Sequence, residues 1–355
     1  MRFGNQNMSV PLYEDHVGLW AKELAEWMPN TLFDSHIHLG PSEATLPFAA
    51  ERLKEPLCTF GSMTFEDAQT FYAHLFKGKQ VDGLIAFPFP MREVQLDAAN
   101  AYIIDLMKRD PRIHGFLLSE PTDAEPAIRD YERAIREGVA FLGVKPYFDR
   151  LGKSNYGCTM PEFIPDALLE FMNAEKLIMM LHTSGRGMGV PKNRDFVRSV
   201  LDRYADLRII LAHMGRYLDV SGFFDFFESD LADHPRLYLE MSSVSRADVY
   251  ARVLDCPRAC DRLLFGTDLP YGLLTGVEAW SEATGPVFIT RDRYAWSNDY
   301  VNGLFAGEAK NLTYNTYHVI AAFKDAVIRK FGDTPNATLL KQKIFHDNAL
   351  ALLRG

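Results

Sequence analysis

The sequence predicts an α/β fold: a (β/α)8 TIM barrel with long loops over the carboxyl-terminal face of its strands. Two observations predict this class. Short apolar runs rich in branched residues alternate with segments of helical periodicity along the 355 residues, which is typical of a parallel sheet with crossover helices. Polar residues suited to metal binding or proton transfer follow several of these runs. Because strand carboxyl ends meet at one mouth of such a barrel, these residues are expected to converge there.

Each of the eight predicted strands occupies a short apolar segment, as expected for strands buried on both faces of a sheet. In chain order they lie in LFDSHIHLGP, VDGLIAFPF, IHGFLL, FLGVKPYF, LIMMLHTSG, RIILAHMGR, LYLEMSS and LLFGTDLPYG. Helical periodicity predicts helices between them over 93–108, 125–137, 165–175, 195–204, 222–232 and 245–254. A further helix within 12–28 is expected to precede the first strand, and two closing helices are expected over 314–330 and 339–353.

The whole chain, 1–355, is expected to form one domain, with the barrel over about 31–270, an aromatic-rich insertion over about 273–312 and closing helices over 314–353. Three connections, 40–80, 149–165 and 273–312, exceed the usual few residues and leave from strand carboxyl ends. Such loops often cover an active site. The aromatic residues of the third fit a subunit interface equally well, so a homo-oligomer is also possible.

Composition narrows the classes of function. A net charge of -9 and a pI near 5.6 argue against nucleic-acid binding, which requires a basic face. No apolar run is long enough to span a bilayer, and the first residues lack the apolar core of a signal peptide, so a cytoplasmic protein is expected. Four cysteines do not make a disulfide framework, and Cys256 and Cys260 lack the spacing of a zinc knuckle or redox pair.

The motif HIH places two imidazoles on one face of the first strand. His36 and His38 are two residues apart, so both side chains point the same way while Ile37 packs on the other face. Two neutral imidazole nitrogens on one face are a natural start for a zinc site. A His-x-His pair also arises by chance on protein surfaces, but here it follows a predicted strand at the barrel mouth.

Three further residues end apolar runs in the same manner. His182 follows LIMML, His213 follows IILA and Asp268 follows LLFG in the sequence. A polar group in such surroundings must find a partner or a metal. Each has a simpler explanation when taken alone: a core histidine bonded to backbone, or an aspartate that caps a helix. Together they predict a metal-binding or proton-transferring site.

The same residues, taken in order, resemble a known family. HIH after strand one, a histidine after strand five, LAHMG after strand six, FGTDLPYG after strand eight and the terminal IFHDNALALL resemble the amidohydrolase superfamily. Within it they fit best the amidohydrolase-2 branch, which includes aminocarboxymuconate-semialdehyde decarboxylase and related lactonases. The resemblance implies one divalent metal per chain, usually zinc, held by His36, His38, His182 and Asp268. It also implies that His213 stands beside the metal as an acid, base or polarising residue.

Three cations near the predicted mouth bear on metal number and substrate. In other amidohydrolase subtypes a lysine after strand four is carboxylated and bridges two metals. Lys145 could play that part, so a binuclear site remains an alternative. A divalent metal other than zinc is a second alternative. We expect the mononuclear arrangement, with Lys145 an ammonium that holds a substrate carboxylate. Arg186 and Arg216 closely follow His182 and His213, and a guanidinium there would bind a carboxylate. The alternative for each arginine is a salt bridge at the barrel rim.

The resulting functional hypothesis is a metal-dependent hydrolase of amide, ester or lactone bonds in a small carboxylated or cyclic substrate. A divalent metal lowers the pKa of bound water to about 7, so hydroxide is available at neutral pH. Asp268 and His213 are the expected catalytic proton carriers. The alternative enzyme is a nonoxidative decarboxylase that protonates a substrate carbon. A metal-free barrel that serves as a binding protein would require every strand-end residue to be a coincidence.

Overall fold

Eight parallel strands form the central sheet of the computed structural model, which describes residues 13–216 and 220–354. They pair in sequence order from β1 to β8, so each strand lies beside the next. The strands are β1 (Thr31–His38), β2 (Gln80–Phe87), β3 (Ile113–Leu118), β4 (Gly143–Lys145), β5 (Ile178–Leu181), β6 (Arg208–Leu211), β7 (Leu237–Glu240) and β8 (Leu263–Leu264). Six fall within the predicted segments, β1 and β2 each begin one residue earlier, and the predicted barrel is confirmed.

The last strand meets the first and brings the sheet close to a closed barrel. Beyond the two residues of β8, the chain continues alongside β1. Ser35 N donates to Phe265 O and His38 N donates to Leu269 O, both at 2.8 Å. Asp268 N in turn donates to the carbonyl oxygen of His36 at 2.8 Å. This closure therefore fixes the backbone of Asp268 beside the two histidines of β1.

Helices alternate with the strands as predicted. Those between strands are Phe65–Leu75, Leu96–Arg109, Glu125–Arg136, Met160–Phe163, Asp166–Ala174, Pro191–Arg203, Val220–Phe227, Ala247–Leu254 and Pro257–Cys260. After β8 come Asp299–Leu304, Ala306–Ala309, Asn315–Phe331, Pro335–Gln342 and Asn348–Arg354. Local sequence explains several starts: Thr64 and Asp67 form a capping box at the first helix. No helix of the described residues is long and apolar enough to cross a membrane.

Apolar side chains fill the interior of the barrel. Inward-facing residues of successive strands, among them Phe33, Phe87, Met180 and Ile210, form one buried cluster. Leu352 of the last helix joins this cluster, and Asn348 Nδ2 donates to the carbonyl oxygen of Leu263 at the start of β8. The closing helix therefore covers the amino ends of the strands. The opposite mouth, at the carboxyl ends of the strands, carries the polar residues and is the expected place for an active site.

Several segments differ from the predictions. The segment 40–80, expected only as a long connection, contains the helix Phe65–Leu75. The helix expected within 12–28 is a short 3-10 turn, His16–Gly18, followed by a π-helical turn, Trp20–Leu24, because Val17 and Gly18 adopt positive φ. Leu12 and the residues before it lie outside the described part of the chain. The insertion at 273–312 was expected only as a long connection; it contains an antiparallel hairpin of β9 (Gly276–Ser281) and β10 (Gly285–Thr290).

Candidate metal centre

A cavity of 180 Å³ opens at the carboxyl ends of the barrel strands. Its walls contain all six strand-end residues that the sequence singled out, together with two tyrosines and four apolar residues. They are His36, His38, Lys145, His182, His213, Asp268, Tyr147, Tyr271, Pro56, Leu57, Pro90 and Leu274. Strands β1, β4, β5, β6 and β8 each lead into this catalytic cavity. The convergence expected from a barrel is therefore present.

Three electron-rich atoms meet at the centre of the cavity. The Nε2 atoms of His36 and His38 each lie 3.2 Å from the same carboxylate oxygen, Oδ1 of Asp268. All three residues are buried. Nitrogen lone pairs and a carboxylate oxygen at this separation repel one another unless a proton or a cation lies between them. This donor set suits a divalent metal such as zinc, which binds imidazole nitrogen and carboxylate oxygen.

The hydrogen bonds at the other ring nitrogens fix which atoms face inward. His36 Nδ1 lies 2.9 Å from Glu240 Oε2, and His38 Nδ1 lies 3.2 Å from the carbonyl oxygen of Pro88. Both partners can only accept, so each Nδ1 carries the proton and each Nε2 keeps its lone pair. No described residue forms a hydrogen bond with the buried Nε2 of His36. The imidazoles are thus oriented as in metal sites whose second ring nitrogen is held by an acceptor.

Glu240, at the end of β7, is a site residue that the sequence analysis missed. Besides His36, its fully buried carboxylate accepts hydrogen bonds from Ser242 N at 2.6 Å and from Ser242 Oγ at 2.7 Å. The backbone N–H of His213 points to the same carboxylate at 3.3 Å. Gly266 lies against it, and a methyl group there would come within 2.4 Å of Glu240 Oε1. One anion therefore organises β1, β6 and β7 around the centre.

Replacing Glu240 with Gln is expected to weaken zinc binding by about 10-fold to 100-fold, the usual cost of losing an outer partner of a metal-bound histidine. The amide can still accept from His36, but it lacks the charge that makes the imidazole a stronger donor. Competition with a chromophoric chelator measures the affinity. The control is Glu66→Gln, on an exposed helix face, which should leave the affinity unchanged. Equal affinity in the two variants would exclude this role for Glu240.

A second buried carboxylate supports the closure of the barrel. Asp34 accepts hydrogen bonds from the backbone N–H groups of His36 at 3.1 Å and Thr267 at 2.9 Å. Its other oxygen binds the hydroxyls of Tyr72 and Thr267. Burial raises the pKa of Asp34 to about 6, while these hydrogen bonds act in the opposite direction. Asp34 therefore positions the residues on either side of the centre rather than facing the cavity.

His213 was predicted to be a proton carrier beside the metal, but it lies as close to the central atoms as a ligand could. His36, His213 and Asp268 each offer a donor atom, and these atoms all lie within 4.8 Å of one another. His213 Nδ1 lies 3.1 Å from the carbonyl oxygen of Ser242, so this atom carries the proton and Nε2 holds the lone pair. Asp268 and His213 both have positive φ, at 55° and 53°. Such backbone strain in non-glycine residues is typical of functional sites.

His182 also reaches the cavity, from the end of β5. Its ring centroid lies 5.4 Å from that of His213 and 5.0 Å from that of Tyr147. The Nδ1 atom is buried and has no hydrogen-bond partner among the described residues. An unsatisfied buried nitrogen is costly, and a metal ligand bond would satisfy it. The assignment of His182 as a ligand and His213 as a proton carrier stays a prediction.

Burial controls the protonation of the centre. Desolvation lowers the pKa of His38 to about 3 and that of His213 to about 4, and it holds the pKa values of His36 and His182 well below 6.5. The four imidazoles are therefore neutral at neutral pH, as metal ligands must be. Burial raises the pKa of Asp268 to about 7, with His213 and Lys145 opposing the rise and Glu240 adding to it. Asp268 is the group of the centre that titrates near neutrality.

Metal affinity is expected to fall about tenfold for each pH unit below 7, because binding must displace the proton that Asp268 then carries. The histidines add little to this slope, since their lowered pKa values leave them neutral down to about pH 5. Zinc titrations across about pH 5 to 8 measure the dependence. Asp268→Asn should bind more weakly and lose the slope. A full slope in Asp268→Asn would assign the proton to another group.

Lys145 brings a cation into the same cavity. Its side chain is 1% exposed, and Nζ lies over the rings of Phe87 at 5.0 Å and Tyr147 at 5.9 Å. No hydrogen bond or ion pair joins Lys145 to another of the described residues. Burial lowers the pKa of Lys145 to about 8, although Asp268 and Glu240 favour the charged form. An ammonium that contacts aromatic faces and makes no hydrogen bond within the described chain is available to bind an anionic substrate group.

The two predicted arginines lie in different places. Burial lowers the pKa of His182, and the charge of Arg216 adds to this effect. Burial raises the pKa of Tyr147, and Arg216 opposes that rise. The guanidinium of Arg216 also stacks over Tyr156 at 5.7 Å. Arg186 is exposed and lines a separate cavity of 780 Å³ with Trp280 and Arg246. Of the two, Arg216 is the one beside the catalytic cavity. Both assignments as substrate-binding residues stay predictions.

Known structures share this fold. A 4-oxalomesaconate hydratase from Rhodopseudomonas palustris is 15% identical, covering 91% of this chain and 95% of its own, with a TM-score of 0.51. A dihydroxybenzoic acid decarboxylase from Polaromonas sp. JS666, with bound manganese and the inhibitor 2-nitroresorcinol, is 18% identical over 92% and 97%, with a TM-score of 0.51. A 5-carboxyvanillate decarboxylase from Sphingomonas paucimobilis is 13% identical over 92% and 99%, with a TM-score of 0.51.

Identities this low support the fold and do not identify the reaction. No curated protein matches the chain. The family model Amidohydrolase (Amidohydro_2), in contrast, matches residues 34–355, nearly the entire sequence. With the barrel and the candidate His/His/Asp metal site, that match confirms the resemblance seen in the motifs. The chain belongs to the amidohydrolase family, in its amidohydrolase-2 branch.

Proposed function

We propose that this protein is a metal-dependent enzyme that removes carbon dioxide nonoxidatively from a small carboxylic acid. The observation that carries the proposal is the buried Lys145 ammonium, which lines the same small cavity as Asp268 and forms no hydrogen bond or ion pair within the described residues. A cation in this position suits a substrate carboxylate. Asp268 lies in the same cavity, and its carboxyl group can carry a proton on the oxygen that does not hold the metal. Two of the structures that share the fold are named as decarboxylases.

The ligands proposed for one divalent metal are His36, His38, His182 and Asp268, and zinc is the favoured ion because the donors are nitrogen and oxygen. The fit of these residues rests on the buried Nε2 of His36 and Nδ1 of His182, which lack hydrogen-bond partners. When bound, the metal would act as a Lewis acid that withdraws electron density from the substrate. The proposal keeps Lys145 as an uncarboxylated ammonium.

The residues of the cavity supply the remaining steps. Lys145 orients the carboxylate, and the rings of Tyr147 and Tyr271 exclude water from it. Asp268 takes up a proton from solvent on the carboxylate oxygen that does not hold the metal, and transfers it to the substrate carbon that bears the carboxylate. The bond between that carbon and the carboxylate then breaks, its electron pair stays on the carbon framework, and carbon dioxide leaves. A carboxylate and a proton are thereby converted to a C–H bond and carbon dioxide.

Hydrolysis is a second candidate, favoured by the tautomer of His213. Because the carbonyl oxygen of Ser242 holds the proton on Nδ1, the Nε2 lone pair of His213 is available as a base. The lowered pKa of His213 keeps that imidazole neutral at neutral pH. A neutral imidazole there could take a proton from water that attacks an ester, amide or lactone carbonyl. Asp268 would then protonate the leaving group.

Carbon dioxide release from a panel of unsaturated and aromatic acids tests the proposal. In deuterated water the product should carry deuterium at the carbon that lost the carboxylate. Lys145→Met, which keeps the length of the side chain and removes its charge, should raise KM for the acid strongly. Lys153→Met, at an exposed lysine paired with Glu162, is the control. Turnover of lactones or esters without carbon dioxide release from any acid would favour hydrolysis instead.

A further inference from the structure

An apolar cavity of 230 Å³ adjoins the catalytic cavity. Pro56, Tyr271 and Leu274 line both cavities, so the two cavities lie side by side. The outer wall of this side cavity includes Phe288 and Trp296, which belong to the aromatic insertion after β8. The side cavity therefore lies between two of the long connections, with Pro56 from 40–80 and the two aromatic residues from 273–312.

The aromatic wall is held in place by hydrogen bonds and stacking. Trp296 Nε1 donates to Thr59 Oγ1 at 2.7 Å, which ties the insertion to the loop after β1. The ring of Trp296 stacks on that of Tyr294, with centroids 5.1 Å apart and planes 4° from parallel. The Tyr294 hydroxyl accepts from Thr275 N at 3.0 Å. A wall fixed in this way can select a ligand by shape, because binding does not require the loss of conformational entropy that would order a flexible wall.

Polar groups are few in the side cavity. The amide of Asn315 is already used, because its Nδ2 donates to the carbonyl oxygen of Gly276 at 3.0 Å. Glu278 places a carboxylate in the wall, which disfavours a second negative charge on the ligand at this end. Ser243 adds a hydroxyl to the wall, and the hydroxyl of Tyr271 already donates to the carbonyl oxygen of Leu57 at 2.6 Å. The walls thus favour an uncharged apolar group.

From this arrangement we propose that the side cavity binds an apolar ring of the substrate, with Trp296 and Phe288 as specificity-determining residues. The inference rests on the proposed function, because it assumes that the reacting carboxylate lies against Lys145. The substrate class is then an unsaturated carboxylic acid that bears a hydrophobic ring at its far end. The size is sufficient, since an apolar cavity of about 150 Å³ accommodates benzene in another protein. The two cavities together have the size of a small-molecule site.

Direct binding of two unreactive acids to the zinc-loaded protein tests the inference by calorimetry. Propionate and 3-phenylpropionate share the carboxylate and differ by the ring. The wild-type protein is expected to bind 3-phenylpropionate about 10-fold to 100-fold more tightly, because the ring is removed from water. Trp296→Ala should reduce that preference about tenfold while leaving propionate binding unchanged. Trp296→Phe keeps a ring and should retain most of the preference.

The matched control is Trp280→Ala, since Trp280 lies in the same insertion, is 59% exposed and does not line the side cavity. It should bind both acids as the wild type does. Equal affinities of the two acids in the wild type, no binding of either, or equal loss of preference in both alanine variants would overturn the inference. If the protein preferred the ring-bearing acid but decarboxylated no acid, the proposed function would be refuted. The inference that the side cavity binds an apolar ring would still hold.

Discussion

Replacing Asp268 with Asn is expected to lower kcat by about 100-fold to 10,000-fold, the usual cost of removing a general acid. The amide occupies the same space, so the barrel closure through Asp268 N and His36 O should persist. It cannot carry the proton that the carboxyl group is proposed to transfer. It is also a weaker metal ligand. Steady-state kinetics, with the bound metal measured in the same sample, separates the two effects.

The control for this variant is Asp248→Asn, at a partly exposed aspartate paired with Arg246 on the helix after β7. Its kcat should match that of the wild type. If Asp268→Asn retained its metal and more than about a tenth of the wild-type kcat, Asp268 would not be the proton donor. His213 would then be the remaining candidate for that role.

The second large effect is expected from the two histidines of β5 and β6. His182→Ala should lose most of its metal, because it removes a proposed ligand. His213→Ala should keep its metal and lose about 100-fold to 10,000-fold in turnover, because it removes a proton carrier. Elemental analysis and kinetics on the same preparations give both numbers. The comparison is decisive because His213 lies within 4.8 Å of the other donor atoms.

The opposite pattern has a clear meaning. If His213→Ala lost its metal and His182→Ala kept its metal, His213 would be a ligand. His182 would then be a neighbour of the metal and not a ligand. Loss in both variants would indicate that the two histidines share a second metal. His114→Ala provides the control, since His114 lies in β3 against Phe33 and away from the cavity. It should bind metal as the wild type does.

The positions of the predicted site residues followed from one rule. In a parallel barrel, a side chain at a strand end points to the common mouth, so a histidine after an apolar run is placed by the fold alone. His36, His182, His213 and Asp268 all obey this rule and line one cavity. Glu240 obeys it as well, as the last residue of β7. The run LYLE therefore contained the signal, but glutamate is common at exposed strand ends and its burial is visible only in three dimensions.

Residues beyond the strand ends were less predictable. Arg186 and Arg216 follow their histidines by similar intervals, yet only Arg216 lies beside the catalytic cavity. Gly185 and Gly187 have positive φ, and they turn the chain so that Arg186 faces a different cavity. The hairpin of the insertion escaped prediction because its strands are only partly buried and lack strict alternation of apolar and polar residues. Loop geometry depends on backbone torsions that periodicity does not report.

Metal binding by this site is best tested by the metal content of protein purified without chelator. We expect one divalent metal per chain, with reconstitution of metal-free protein that does not depend on added bicarbonate. Bicarbonate matters because a carboxylated Lys145 would form from dissolved carbon dioxide and would bridge a second metal. Protein without bound metal would contradict the account. Two metals per chain with bicarbonate-dependent recovery would contradict the ammonium form of Lys145 and move the function toward binuclear hydrolysis.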